Sequence, residues 1–527
     1  MTPENDSFEL TYATMFDPPE ALHNSYDNAL EKVKSSLGQS HAMLIDGHDI
    51  TKKTTFKDTS PINTEMLLGT FPKGDAEDAR RAISAARSAF PTWSRLPWQK
   101  RVTLLRRAAD EIDHRIYDIA AVISLEVGKN RLEALGDIAE AAALIRYACR
   151  QMEARDGFRV AMGRDPLIGY EASNTSTLQP YGVWVVISPF NFPAALTVGP
   201  VGAALVAGNT VVMKPASDTP WTSRLLAEAF QAAGLPDGVV NYVTGPGSTV
   251  GQELISSREV DGITFTGSYD VGMNIYRTFA AGRYPRPLIL EMGGKNASIV
   301  SERADLERAA IGIVRSSFGL QGQKCSANSR VYVAESRYDD LLQRVVALTE
   351  KITIGDPTRR SVFLGPVINR SAYDDYQRFT AELSAAGTIL AGGRTLKAGA
   401  LKKGYFCAPT FAIDVPHDHR LWKQEMFLPI TLIKSVASLD EAMQHANDSE
   451  YGLTAGFYGS EEEAAWFFDN IQAGVTYANR PQGSTTGAWP GYQPFGGWKG
   501  SGSSGKNAGG HYYLQLYMRE QIHTLIR

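Results

Sequence analysis

Of the three cysteines in this 527-residue chain, one has neighbours suited to chemistry. Cys325 lies in GLQGQKCSANSR, among glycines and small polar residues, directly after Lys324 and before Ser326. Such flanks are poor core material and a good setting for an accessible thiolate nucleophile, with the lysine expected to favour its ionisation. Cys149 and Cys407, in LIRYACRQM and GYFCAPT, read as small core hydrophobes. Glu291 closes the β-prone run PLILE and precedes MGGKN, so a carboxylate is delivered to a strand end, where either a general base or an ordinary acid can stand. Asn191, between aromatics and prolines in SPFNFP, either forms a turn or aims an amide at a developing oxyanion.

A second set of residues suits a phosphate or ribose. Lys214 ends the run NTVVMK just before Pro215. The stretch GPGSTVG, which contains Gly247, follows a strand and opens a helix, although its glycine spacing is not that of a dinucleotide fingerprint. Gly267 and Ser268, in FTGS, stand between a strand and a helix, where backbone N–H groups are free to meet a pyrophosphate. His417 and His419 have no third ligand at metal spacing, so they read as a solvated loop, and no metal site is expected. No G-x-S-x-G elbow is present.

The elements that would position these residues follow from periodicity. From about residue 75 to 152 the text is rich in Ala, Arg, Glu and Leu at helical spacing. A polar, turn-rich stretch at 163–182 then turns β-like. From Gly182 the runs VWVVIS, NTVVMK, VVNYVT, GITFTG and LILE alternate with helical segments, the pattern of β-α-β crossovers in a parallel sheet. A second series after Glu291, through NASIV, RVYVA, TLIKSV, GLTAGFYG and GVTYANR, predicts another α/β domain. The tail opens in a Gly/Ser loop and ends in alternating, β-prone residues.

Composition bounds the class. Single cores stop growing near roughly 250–300 residues, so this length implies at least two domains. With 53 Lys+Arg against 57 Asp+Glu, the net charge of −4 gives no general pull toward nucleic acid or anionic lipid. Three scattered cysteines form no disulfide framework and fit a reducing compartment, and the acidic N-terminus lacks the features of a signal peptide. A soluble cytoplasmic protein without a membrane span is expected.

Together, SPFNFP, GNTVVMKPA, FTGS, LEMGGKN, GQKCSA, QEMFLP and QPFGG occur in the order found in the aldehyde dehydrogenase superfamily, which the chain resembles from about residue 70 to its end. The resemblance implies two Rossmann-like parallel-sheet domains with a small β oligomerisation arm. The expected division is an N-terminal extension and the helical part of the cofactor domain (1–162), the first part of the arm (163–182), a dinucleotide-binding domain (183–290), a catalytic domain (291–495) and a C-terminal oligomerisation segment (496–527). It further implies Cys325 as nucleophile, Glu291 as base and Asn191 as oxyanion donor. Lys214 falls among both the catalytic and the cofactor groups, with Ser217, Gly247, Gly267, Ser268, Glu425 and Phe427 on the cofactor side. KPASDTP, STTGAWPGYQPFGG and SGSSGKNAGGHYYL are most similar to the glutamate-semialdehyde branch. In that branch Ser326, Gly487 and Ala488 would hold an α-carboxylate, Glu140 would face the α-amino group, and Lys324 would border the substrate. Two departures are AAAL after Glu140 and Leu428 where the superfamily usually has glycine. The implied cofactor is NAD, with NADP open because Ser217 would not repel a 2′-phosphate. The implied function is oxidation of glutamate γ-semialdehyde by a homo-oligomer built on dimers. A dehydrogenase for another aldehyde, or a catalytically silent homologue, is the alternative.

Overall fold

The computed structural model describes residues 10–12, 14–15 and 18–527. Two seven-stranded sheets organise the chain. In the first, Leu288–Glu291, Gly262–Thr266, Val183–Ile187, Thr210–Lys214 and Val240–Tyr242 run parallel in that spatial order. Their β-branched runs are buried along nearly their whole length, as a sheet covered on both faces requires. A hairpin of Met43–Ile45 and His48–Ile50 extends this sheet antiparallel to Val240–Tyr242. The sequence reading, which began the strands at Gly182, did not anticipate that contribution from the N-terminal part.

Strand order reverses at Val183–Ile187, whose neighbours are Thr210–Lys214 on one side and Gly262–Thr266 on the other. Side chains and loops diverge at such a point and leave a crevice at the carboxyl ends of the strands. Asn191, Lys214 and Glu291 all belong to this end of the sheet.

The second sheet is ordered Thr388–Ala391, Thr410–Ile413, Ile430–Val436, Asn328–Ala334, Asn296–Val300, Thr454–Tyr458 and Val475–Ala478, parallel except at the first pair. Cys325 immediately precedes Asn328–Ala334, so the thiol sits at the amino end of its sheet. The rule of strand carboxyl ends therefore holds for Glu291 and not for Cys325.

A three-stranded arm joins Arg159–Ala161, Ala172–Pro180 and Met518–Ile526 in antiparallel register, from Met518 opposite Pro180 to Ile526 opposite Ala172. Val160, Ile522, Leu525 and Ile526 are exposed on it. The arm is tied to the first domain by Asn209, which is fully buried. Its carboxamide oxygen accepts from Tyr181 N (2.8 Å) and Gly182 N (2.9 Å), and its nitrogen donates to Ala204 O (3.2 Å) and Tyr517 O (2.9 Å). Removing it strands several buried backbone groups at about 1–3 kcal/mol each. Asn209→Ala is therefore expected to lower the thermal unfolding midpoint clearly in a calorimetric scan, while a midpoint equal to wild type would show that water replaces the amide.

Candidate active site

Helix Leu306–Phe318 stops at Gly319, and the next three residues, Leu320, Gln321 and Gly322, all take left-handed backbone angles (φ 50°, 55° and 67°). Two are not glycine, and such residues persist only where surrounding contacts over-determine them. Here Leu320 N donates to Glu133 Oε2 (3.1 Å) and Gln323 Oε1 accepts from Ile368 N (2.9 Å). A Cβ at Gly322 would lie 2.2 Å from Leu428 O, so the unusual Leu428 meets this loop through its backbone. Beyond the thiol, Asn296 Nδ2 donates to Cys325 O (2.7 Å) and Thr485 Oγ1 to Ser326 O (2.7 Å). Asn191, itself buried, donates from Nδ2 to Gln323 O (2.9 Å). The Cys325 backbone is thus fixed on both sides, with Asn191 attached to the same loop.

The glycines after Glu291 explain its placement. A Cβ at Gly293 would meet Glu425 Oε2 at 2.2 Å, and one at Gly294 would meet Cys325 O at 2.3 Å. Glu425 Oε1 accepts from Gly294 N (2.8 Å). The tail braces the other side: Met292 N donates to Ser501 O (2.8 Å) and Ser501 Oγ to Gly293 O (2.7 Å). Glu291 is buried, and its Oε2 has no hydrogen-bond partner among the described residues. Burial holds its carboxyl well above the usual range.

Cys325 is the half-buried cysteine, whereas Cys149 and Cys407 lie fully within the two cores. Its thiol is pushed up by burial, then by Glu425 and Glu291, with the backbone N–H groups of Ser326 and Cys325 acting in the opposite direction. Lys324, expected to favour ionisation of the thiol, has a carboxylate partner of its own. Lys324 Nζ is bound to Glu133 Oε1 at 2.6 Å, a partner distant in sequence.

Glu133, Asp137 and Glu140 recur at i, i+4 and i+7 on helix Arg131–Ala154, which puts them on one face. Two of the three are neutralised. Lys324 pairs with Glu133, and Lys129 pairs with Asp137 at 3.0 Å with both side chains fully buried. Glu140 receives instead a neutral donor, the Tyr12 hydroxyl, at 2.9 Å to Oε2. Burial raises its carboxyl to about 8.

One cavity is bordered by Cys325, Glu291, Lys324, Ser326, Glu140, Gly487 and Ala488. Gly487 has φ +122°, and a Cβ there would come within 2.3 Å of Arg480 Nη2, so the turn lies against a guanidinium. Sequence reasoning missed Tyr12, Glu133, Phe192, Arg480 and Trp489 on the same cavity. The helical spacing of the three acids was the available signal for Glu133. Arg480 and Tyr12 reach the site only through tertiary packing.

The cofactor-side residues cluster at the crevice of the first sheet. Lys214 is buried, donates to Pro215 O (3.1 Å), and is lowered by burial to about 8. Ser217 is exposed just beyond it, and Gly247, which has open space where a Cβ would stand, opens the helical turn 247–251. Ser268 precedes helix Tyr269–Ala280 without capping it by its side chain, which leaves first-turn N–H groups for an anion. Gly267 N donates to Glu291 O (3.1 Å), joining this corner to that strand end. Phe427, left-handed at φ 55°, packs edge-on against Phe190 with 5.9 Å between ring centroids. A buried ammonium against the turn at Gly251, with Lys214 Cε 3.6 Å from the place of a Cβ there, and an uncapped helix start at Ser268 fit a dinucleotide.

Comparison with known proteins agrees with this geometry. The profile of the "Aldehyde dehydrogenase family" matches residues 49–522. A curated 1-pyrroline-5-carboxylate dehydrogenase of Bacillus cytotoxicus is 40% identical over 95% of this chain and 96% of that one. A 1-pyrroline-5-carboxylate dehydrogenase from Thermus, solved with bound NAD, superposes with a TM-score of 0.92 at 35% identity, each chain covered in full. Proline utilization A of Bdellovibrio bacteriovorus gives a TM-score of 0.91 at 34% identity over 96% of this chain, which spans about half (52%) of that longer protein. With a cysteine loop, a buried glutamate and a cofactor crevice arranged as described, the chain belongs to the aldehyde dehydrogenase family.

Proposed function

We propose that this aldehyde dehydrogenase oxidises L-glutamate γ-semialdehyde, the open form of 1-pyrroline-5-carboxylate, to glutamate, with NAD as acceptor. The observation that carries the reading is Glu140. It is a half-buried carboxylate without a cationic partner among the described residues, on the cavity of Cys325, with the Gly487/Ala488 turn on the same cavity. A carboxylate left without a counter-charge in a buried site is satisfied by an ammonium from outside. Backbone N–H groups of Gly487 and Ala488, with the Ser326 hydroxyl, would take the α-carboxylate, and Arg480 beside the turn adds positive charge. Names of relatives at 40% identity support the same substrate.

In the reaction, Cys325 Sγ attacks the aldehyde carbon and the carbonyl π pair moves to oxygen. Asn191 Nδ2 and the Cys325 N–H stabilise that oxyanion, each donor contributing roughly 2.7–4 kcal/mol in comparable sites. Lys214, Ser217, Gly247, Gly267, Ser268, Glu425 and Phe427 would hold NAD, which supplies the hydride acceptor when bound. The Cys325 thioester that remains is hydrolysed by a water from which Glu291 takes a proton, releasing the acid and the thiolate. The NAD-bound Thermus relative supports the choice of cofactor.

The exposed apolar residues of the arm support a homo-oligomer built on dimers, since an uncovered β edge invites pairing. Three free cysteines agree with a reducing, cytoplasmic setting. No helix among the described residues is long and apolar enough to cross a membrane.

Cys325→Ala is expected to lose turnover, whereas Glu291→Gln should give a pre-steady-state burst of NADH followed by slow turnover. Loss of the burst in Glu291→Gln would move that residue to thiol activation. Because Cys325, Glu291 and Glu140 must each lose a proton to act and all three are raised, kcat/KM for the semialdehyde should climb from pH 6 to 9. A flat profile contradicts these roles. Across a panel at fixed pH, the semialdehyde should exceed propanal at least tenfold in kcat/KM, and Gly487→Ala should narrow that ratio. Equal values would leave a general aldehyde dehydrogenase.

A further inference from the structure

Helix Arg131–Ala154 carries a glycine in its second turn, Gly136, where alanine would favour the helix by about 1 kcal/mol. The gap has an occupant. A Cβ at Gly136 would lie 2.8 Å from Tyr12 Cε1, so the N-terminal segment seats an aromatic ring where the helix has no side chain. Residues at i and i+4 share a helix face, and Glu140 is four residues on. The Tyr12 ring thus lies over Gly136 while its hydroxyl reaches Glu140 Oε2 at 2.9 Å. Phe192 and Trp489 meet the same ring edge-on, with centroids 6.3 and 5.6 Å away, and Trp489 directly follows the Gly487/Ala488 turn. Tyr12 and Met15 both border the cavity that holds Cys325.

We propose that Tyr12 is a specificity-determining residue: it walls the substrate cavity between the carboxylate turn and Glu140, and its hydroxyl positions Glu140 to receive the substrate's ammonium. The second half rests on the reading of Glu140 given above, and the first half does not. A phenol suits the task because it donates to the carboxylate without neutralising it, whereas a lysine would occupy the charge that the substrate needs. The hydroxyl also opposes the burial that raises Glu140, so it enlarges the ionised fraction near neutral pH.

Two variants separate the halves. Tyr12→Phe keeps the ring and removes the donor. It is expected to lower the kcat/KM ratio of semialdehyde to propanal five- to tenfold through KM, with kcat for the semialdehyde largely kept. The midpoint of the pH dependence of that KM should move upward, and comparison with wild type on one substrate cancels the substrate's own titration. An unchanged ratio and midpoint would overturn the positioning role. Tyr12→Ala opens the wall, so in a series from propanal to octanal the optimum should shift toward longer aldehydes. This arm is read even if wild type shows no preference for the semialdehyde, the result that defeats the substrate reading alone. An unchanged length series, or a uniform rise in kcat/KM for every aldehyde, would overturn the wall, the latter by showing that the segment merely obstructs the cavity.

Discussion

The active site depends on the close passage of the Cys325 carbonyl across the backbone of Gly294. With 2.3 Å between that oxygen and the place of a Cβ, no side chain fits there, and the Glu291 end of one sheet meets the thiol loop of the other. Asn296 holds the contact by donating to Cys325 O and Ala327 O (2.7 and 2.8 Å). Gly293 admits Glu425 in the same way. These contacts connect Glu291, at the carboxyl end of its sheet, to Cys325, at the amino end of the next. Neither domain contains the site alone.

Around this junction the protein has gathered acids where their charge is costly. Glu291, Glu425 and Glu140 are all held above the usual carboxylate range by burial, Glu425 at about 7 and Glu140 at about 8. A buried charge that lacks a partner shifts its proton equilibrium in place of remaining ionised. For Glu291 in its proposed role as base this is the useful direction, because a raised affinity favours taking up a proton. Glu133 and Asp137 show the other solution, each with its own lysine. The lysine beside the nucleophile is consumed by that arrangement, and the thiol receives help from backbone N–H groups instead.

Much of this was legible in the residues. Alternating apolar strands and helices announced two parallel-sheet units, and the Gly-flanked Cys325 stood apart from two cysteines with core-like neighbours. What escaped reading was whatever depended on distant pairing. The hairpin at Met43–Ile50 is made of short runs whose role appears only beside Val240–Tyr242. Lys324 reads as a neighbour of Cys325 along the chain, yet in space it belongs to Glu133. Tyr12 and Arg480 carry no local signature, since a phenol or guanidinium gains its role from the cavity that it meets. The acid stripe at i, i+4 and i+7 lay in plain sight, although helical spacing alone does not tell a solvated face from a buried one.

In the proposed reaction one cavity holds an ammonium at Glu140 and a carboxylate at Gly487, Ala488 and Ser326 while presenting the far carbon to Cys325. A crystal structure with the product glutamate bound decides whether it does. The α-ammonium is expected against Glu140, the α-carboxylate on the Gly487/Ala488 turn and the γ-carboxylate at Cys325. Glutamate bound with its α-carboxylate at Cys325, or with no contact to Glu140, would contradict it.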